Sequence, residues 1–354
     1  MSRSPFKFLD AYQKEDAQSF FGRERETAQL FNAVHASNLV LLYGASGTGK
    51  TSIINCGLGN QFVASDWFPL FVRRGTDLNR ALDNAIVAAL PADRACAGGV
   101  VDQVRELYLE RYRPIYFIFD QFEELFILGS RAEQQQFFET LRQLQMIGAT
   151  CKVIIVIREE YIAYLSELEK VVPALFDNRL RVEKLNDSHL ARIIVGTSRA
   201  AGIQLVEPVQ TVTRILDSIR DRRTGVDLAN LQVYLDRLWR ADVERQGTPS
   251  PGIVTFDVAL VDRVGKLANV ISSFLDEQLV GIEAALGARG VAKPQGVPLE
   301  VLFALVTEEG TKRNLDVAGV LEALPGNRNI DESHVRFCLS EFERLRLVRP
   351  LGTG

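Results

Sequence analysis

The string Gly44-Ala45-Ser46-Gly47-Thr48-Gly49-Lys50-Thr51 constrains this chain more than any other stretch. It follows an apolar run, Asn38-Leu39-Val40-Leu41-Leu42-Tyr43, and opens a helical pattern near Lys50. Strand, glycine-rich loop and helix in that order fit GxxxxGK[ST] at every fixed position. The glycines let the backbone wrap phosphates, while successive N–H groups and the helix N-terminus supply positive potential. Gly44, Ser46, Gly47, Thr48, Gly49, Lys50, Thr51 and Ser52 are therefore candidate nucleotide-binding residues. Lys50 is expected to reach the β- and γ-phosphates of ATP, and the Thr51 hydroxyl to ligate Mg²⁺.

Further buried-type strands recur at 68–73, 115–119 and 152–157, and a weakly alternating fifth at 179–185. Helical patterns lie at 24–36, where Leu30, Phe31 and Val34 share a face, and at 77–90, 100–111, 131–146 and 159–170. Strands alternating with helices imply a parallel sheet covered on both faces, with ligands beyond the carboxyl ends of its strands. After about residue 186 the strands are expected to stop. Helical patterns follow near 187–201, 208–221 and 227–244, then a Gly/Pro-rich linker at 245–252. One long helix is expected at 257–286, and shorter ones at 299–307, 316–323 and 331–345, before a strand-like Leu347-Val348-Arg349-Pro350. Three helices and a strand in this tail suggest a winged helix. The chain stops at Leu351-Gly352-Thr353-Gly354, where a second wing strand should begin, so that domain is expected to be incomplete. The expected division is a core carrying the glycine-rich loop at 1–185, a helical segment at 186–248, and a linker helix with the winged-helix-like domain at 253–354.

Chemistry beyond the loop centres on two strand ends. Ile115-Tyr116-Phe117-Ile118-Phe119 ends in Asp120, an acid placed to hold the Mg²⁺ shell, as in a Walker B strand. Gln121-Phe122-Glu123-Glu124-Leu125 adds two carboxylates, either of which could orient or polarise water near a γ-phosphate. The strand at 152–157 ends in Arg158, whose fork suits phosphate oxygens. A salt bridge to Glu159, Glu160 or the 123/124 pair is the competing reading. Arg179, ahead of the fifth strand, is a candidate arginine finger or an ordinary surface arginine, and Arg73 and Arg74 end the second strand with either orientation open.

Taken together these residues resemble the STAND class of P-loop ATPases, most closely the prokaryotic novel STAND group. Phe20-Phe21-Gly22-Arg23-Glu24 resembles its FFGRE motif, so Phe21, Gly22 and Arg23 are implied to lie against the nucleotide base. The loop at 44–51 resembles its Walker A, Asp120-Gln121-Phe122-Glu123-Glu124-Leu125 its DQFEEL form of Walker B, and Val156-Ile157-Arg158-Glu159-Glu160-Tyr161 its sensor-arginine segment. One departure is Leu228-Ala229-Asn230-Leu231-Gln232, with alanine where the family's lid carries a nucleotide-touching proline. The resemblance implies an α/β fold: an AAA- or STAND-like parallel sheet flanked by helices, then a helical lid and a winged helix. It implies a slow Mg²⁺-dependent ATPase that acts as a switch, held closed by ADP and assembling as a homo-oligomer with ATP, in signalling or antiviral defence. No sensor or effector module is recognisable before residue 20 or after 298.

Charge and cysteines narrow the classes. The 41 Lys and Arg against 45 Asp and Glu give −4, so no global basic field points to nucleic acid or an anionic membrane. Apolar runs such as 115–119 and 153–157 are far short of the 18 or more residues of a membrane span. Met1-Ser2-Arg3-Ser4-Pro5-Phe6-Lys7 lacks a secretory h-region, and a cytoplasmic protein is expected. Cys56, Cys96, Cys151 and Cys338 lack zinc spacing, and His35, His189 and His334 stand far apart. The rival reading is an origin-recognition-like ATPase gripping DNA through the winged helix. Residues 297–354 hold seven basic against nine acidic residues, a net −2, which disfavours DNA because such binding draws on phosphate neutralisation. A nucleotide-binding scaffold with negligible turnover is the third reading.

Overall fold

The computed structural model describes residues 4–7, 10–91, 98–221, 225–247, 252–307, 313–324, 330–345 and 347–348. Five parallel strands, β1 (Leu39–Gly44), β2 (Phe68–Val72), β3 (Ile115–Phe119), β4 (Cys151–Arg158) and β5 (Arg179–Arg181), form a sheet in the order β2-β3-β4-β1-β5. Their apolar runs are continuous because both faces are covered. Leu39, Leu41, Phe117, Phe119, Val153 and Ile155 enter one core, while Val40, Leu42, Tyr116, Ile118, Ile154 and Val156 enter the other. The edges read differently. Pro69 sits in β2, where an edge strand tolerates a missing N–H, and β5 is short with exposed arginines at both ends.

The first core is roofed by helices Leu78–Ala89, Val100–Arg111 and Arg131–Met146. Asp77 caps the first by accepting from Arg80 N at 2.9 Å, and Ser130 caps the third by accepting from Glu133 N at 3.1 Å. Phe137, Leu141 and Leu144 are fully buried, each contributing about 1.5–3 kcal/mol of apolar transfer. Helix Glu24–Ala36 and the helical turns at 50–61 cover the second core with Leu30, Val34, Ile53, Ile54 and Leu58. Phe31 packs there only partly buried. The segment expected as one helix over 159–170 is a 3₁₀ stretch, Glu159–Leu165, followed by helix Ser166–Val171.

The chain divides into two compact units, the first running to Arg263 and the second spanning Val264–Pro350. Helices Asp187–Ala200, Pro208–Ile219 and Leu228–Gln246 belong to the first unit. The expectation that strands stop after residue 186 is overturned. Gln204–Leu205 and Thr255–Phe256 pair in parallel, with Gln204 N donating to Val254 O and Val206 N to Phe256 O, both at 2.9 Å. Two-residue strands are too short to carry a period. The single helix expected at 257–286 is also corrected. It is two helices, Val258–Val264 and Leu267–Ala288, parted at Gly265, whose φ of +78° lies outside helical geometry.

The second unit packs helices Leu267–Ala288, Val297–Ala304, Val317–Ala323 and Glu332–Arg344 around Leu286, Val301, Val320, Val335 and Phe342. Of the expected wing strand, Leu347 and Val348 are described and are not in a strand; Arg349, Pro350 and the chain end lie outside the described residues, as does Cys96. Among the described residues no helix is long and apolar enough to cross a membrane.

Candidate functional site

The parallel register decides what meets at the carboxyl end of the sheet. Gly44 lies opposite Arg158 and Phe119 opposite Ile155, so β4 stands between the glycine-rich loop and Asp120. Gly44 runs so close to the segment after β5 that a Cβ there would lie 2.3 Å from the Val182 carbonyl oxygen. Gly47 has φ +73°, and a Cβ on it would overlap the Asp227 carboxylate. Thr48 is buried under the loop, where its hydroxyl donates to Ala45 O at 2.9 Å. Lys50 Nζ donates to Gly44 O at 2.7 Å and Ala45 O at 2.8 Å. Burial lowers the Lys50 pKa from its ordinary value, and nearby Glu123 opposes that shift.

Asp120 is 4% exposed and densely bonded. Its Oδ1 accepts from Gln121 N at 3.1 Å, and Thr51 Oγ1 lies 3.3 Å from each carboxylate oxygen. Arg73, from the end of β2, donates Nε at 3.1 Å and Nη2 at 2.5 Å to Oδ2. Arg74 turns the opposite way and makes a buried two-pronged pair with Glu133 at 2.9 and 2.7 Å. Sequence left both orientations open. Beyond Asp120, Gln121 adopts φ +59° and redirects the chain. Glu123, also 4% exposed, then takes Arg158 twice: Nε at 3.0 Å and the backbone N–H at 3.2 Å.

A cavity of about 240 Å³ gathers these groups. Its floor is Ser46, Gly47, Gly49, Lys50, Thr51 and Ser52, with Asp120, Gln121, Glu123 and Arg158 on one wall. Phe21 and Arg23 line it as well, whereas Gly44, Gly22 and Thr48 support it from behind. A Cβ on Gly22 would strike Ile193, and one on Gly196 would strike the Phe21 ring at 2.8 Å, so the Phe20-Phe21-Gly22 segment is seated on helix Asp187–Ala200. Arg23 is 2% exposed. It pairs with Glu26 and donates Nη2 to Thr48 O at 2.7 Å and Glu183 O at 2.9 Å, bracing the loop against the chain beyond β5. Burial lowers its pKa.

Two of the candidate catalytic residues fall outside the cavity. Glu124 opens helix Glu124–Ile127, and Arg179 is exposed on edge strand β5. Conversely, Asp10, Ala11 and Tyr12 line the cavity although no motif marks them. Tyr12 N donates to Ser52 Oγ at 3.1 Å, its ring meets Phe20 at 5.6 Å, and burial raises its phenol pKa. Ile193 of helix Asp187–Ala200 and Leu228, Ala229 and Gln232 of helix Leu228–Gln246 line the cavity as well, and Gln232 Oε1 accepts from Lys7 N at 3.3 Å. Phe20, Phe21, Ile193 and Leu228 give the cavity apolar lining beside its charged groups. Thr51 and Asp120 are hard oxygen donors of the kind Mg²⁺ prefers. Among the described residues no group of three or more His, Cys, Asp or Glu side chains is arranged to hold a metal.

A parallel sheet with this loop after its first strand and an acid-tipped strand two places away defines a P-loop NTPase. The chain belongs to the Novel STAND NTPase 1 family, whose model matches residues 5–348. Solved structures share the fold. The Aeropyrum pernix ORC1 protein in complex with DNA is 14% identical, with TM-score 0.52 over 98% of this chain and 89% of that one. The Aeropyrum pernix ORC2 protein, in ADPNP–ADP complexes, is 15% identical, with TM-score 0.53 over 92% and 86%. A Walker-type ATPase of Pyrococcus abyssi is 15% identical, with TM-score 0.50 over 95% and 100%. No curated protein sequence matches this chain.

Proposed function

We propose that this NTPase is an ATP-driven regulatory switch whose nucleotide state controls its conformation and self-assembly, in prokaryotic signalling or antiviral defence. The carrying observation is that one cavity is built jointly by the sheet loops and by the lid helices Asp187–Ala200 and Leu228–Gln246. A ligand filling it must touch both, so ligands of different length favour different lid positions.

In this reading Lys50 and the N–H groups of the loop hold the phosphates, and the base lies between the N-terminal segment with Phe21 and the lid at Ala229. Thr51 and Asp120 would hold Mg²⁺, which when bound neutralises charge on the phosphates. Glu123 accepts a proton from, or orients, the attacking water, and Arg158 contacts the γ-phosphate. Exposed Arg179 would complete the site of a neighbouring copy. The helical second unit, 264–350, would act as a winged helix carrying the change to an effector or sensor module.

Sedimentation velocity tests the switch. ADP is expected to leave a monomer, and a non-hydrolysable ATP analogue with Mg²⁺ to produce a larger assembly. A monomer in both states overturns the assembly role.

A further inference from the structure

Two arginines end β2, and they do different work. Arg74 is buried against Glu133, which also accepts from Leu78 N at 2.8 Å, so that pair ties the strand to the roof helices. Arg73 is 41% exposed and has no such structural task; both its bonding nitrogens go to one oxygen of Asp120. That carboxylate is also bonded by Gln121 N–H and lies within 3.3 Å of the Thr51 hydroxyl. An ion shared between Thr51 and Asp120 needs what Arg73 already uses: carboxylate lone pairs and an uncompensated negative charge.

Resting on the nucleotide reading above, we propose that Arg73 is a tethered cation that competes with divalent metal for Asp120 and so sets the metal dependence of nucleotide binding. A guanidinium within hydrogen-bonding distance of a nearly buried carboxylate lowers the potential that attracts a second cation. Without metal, the same guanidinium leaves a compensated Asp120 beside the phosphates in place of a bare anion. Arg73 therefore narrows the gap between metal-free and metal-bound affinity from both sides. Its partial exposure gives the side chain a route into solvent when the ion arrives. It is a positioning and charge-balancing residue; it acts on the phosphates only through Asp120.

The test is the ratio of ADP dissociation constants in EDTA and in saturating Mg²⁺, measured by calorimetry on the whole chain. Arg73→Ala is expected to raise that ratio about tenfold, the order a single nearby charge commands at the edge of a protein. Arg73→Gln, which keeps a hydrogen bond and fold contacts but not the charge, is expected to raise it likewise. Arg73→Lys keeps the charge and is expected to stay near wild type. A purely structural role weakens both affinities equally, and an unchanged or lower ratio in Arg73→Ala and Arg73→Gln overturns the proposal. Wild-type protein that binds no ADP under either condition removes the nucleotide reading itself, a separate outcome.

Discussion

Glu123 and Glu124 are chemically identical neighbours, and the chain treats them oppositely. The left-handed turn at Gln121 drives Phe122 into the core against Phe137, at 5.5 Å between rings. Glu123 then faces the cavity and Arg158, while Glu124 opens a short helix away from it. Glu123→Gln is expected to preserve ATP binding and slow phosphate release by about 10²–10⁴-fold, the usual worth of a general base. Glu124→Gln should leave the rate near wild type, and the reverse pattern in a phosphate-release assay would transfer the role. Sequence could name the pair and could not choose, because nothing in their spacing reports the sign of φ at residue 121. The same limit applied to Arg73 and Arg74, whose partners, Asp120 and Glu133, lie 47 and 59 residues away.

At the scale of elements, long apolar strands and amphipathic helices were legible because each repeats its signal. Arg131–Met146 and Val100–Arg111 begin and end where their patterns do. The paired strands Gln204–Leu205 and Thr255–Phe256 were not, being two residues each and joined across about fifty residues. The break at Gly265 was hidden because Val261, Val264 and Leu267 keep helical spacing across it. Gly44 shows how closely one element can depend on another. The β1 carbonyl of Tyr43 accepts from Val182 N at 2.7 Å, and the next residue passes against the Val182 carbonyl. Gly44→Ala is expected to cost about 3 kcal/mol in urea unfolding, from overpacking against a backbone atom that cannot rotate away. A cost near zero would mean that β5 yields freely.

For the whole molecule, the sequence motifs marked the loop and strand-end side of the cavity and missed several residues of the opposite side. The loop, Asp120, Glu123 and Arg158 carry recognisable strings. Asp10, Ala11, Tyr12 and Ile193 reach the cavity only because the chain start and helix Asp187–Ala200 fold over the same end of the sheet. Net charge of −4 agrees with a protein that uses local rather than global positive potential to hold an anion. That potential is concentrated at the 44–51 loop, and Lys50 is its one movable charge. Calorimetry of Mg²⁺–ATP binding to wild type and Lys50→Ala is therefore the most direct test. Saturable binding by wild type and loss of measurable binding in the variant are expected; equal affinities would show that the cavity is not an ATP site.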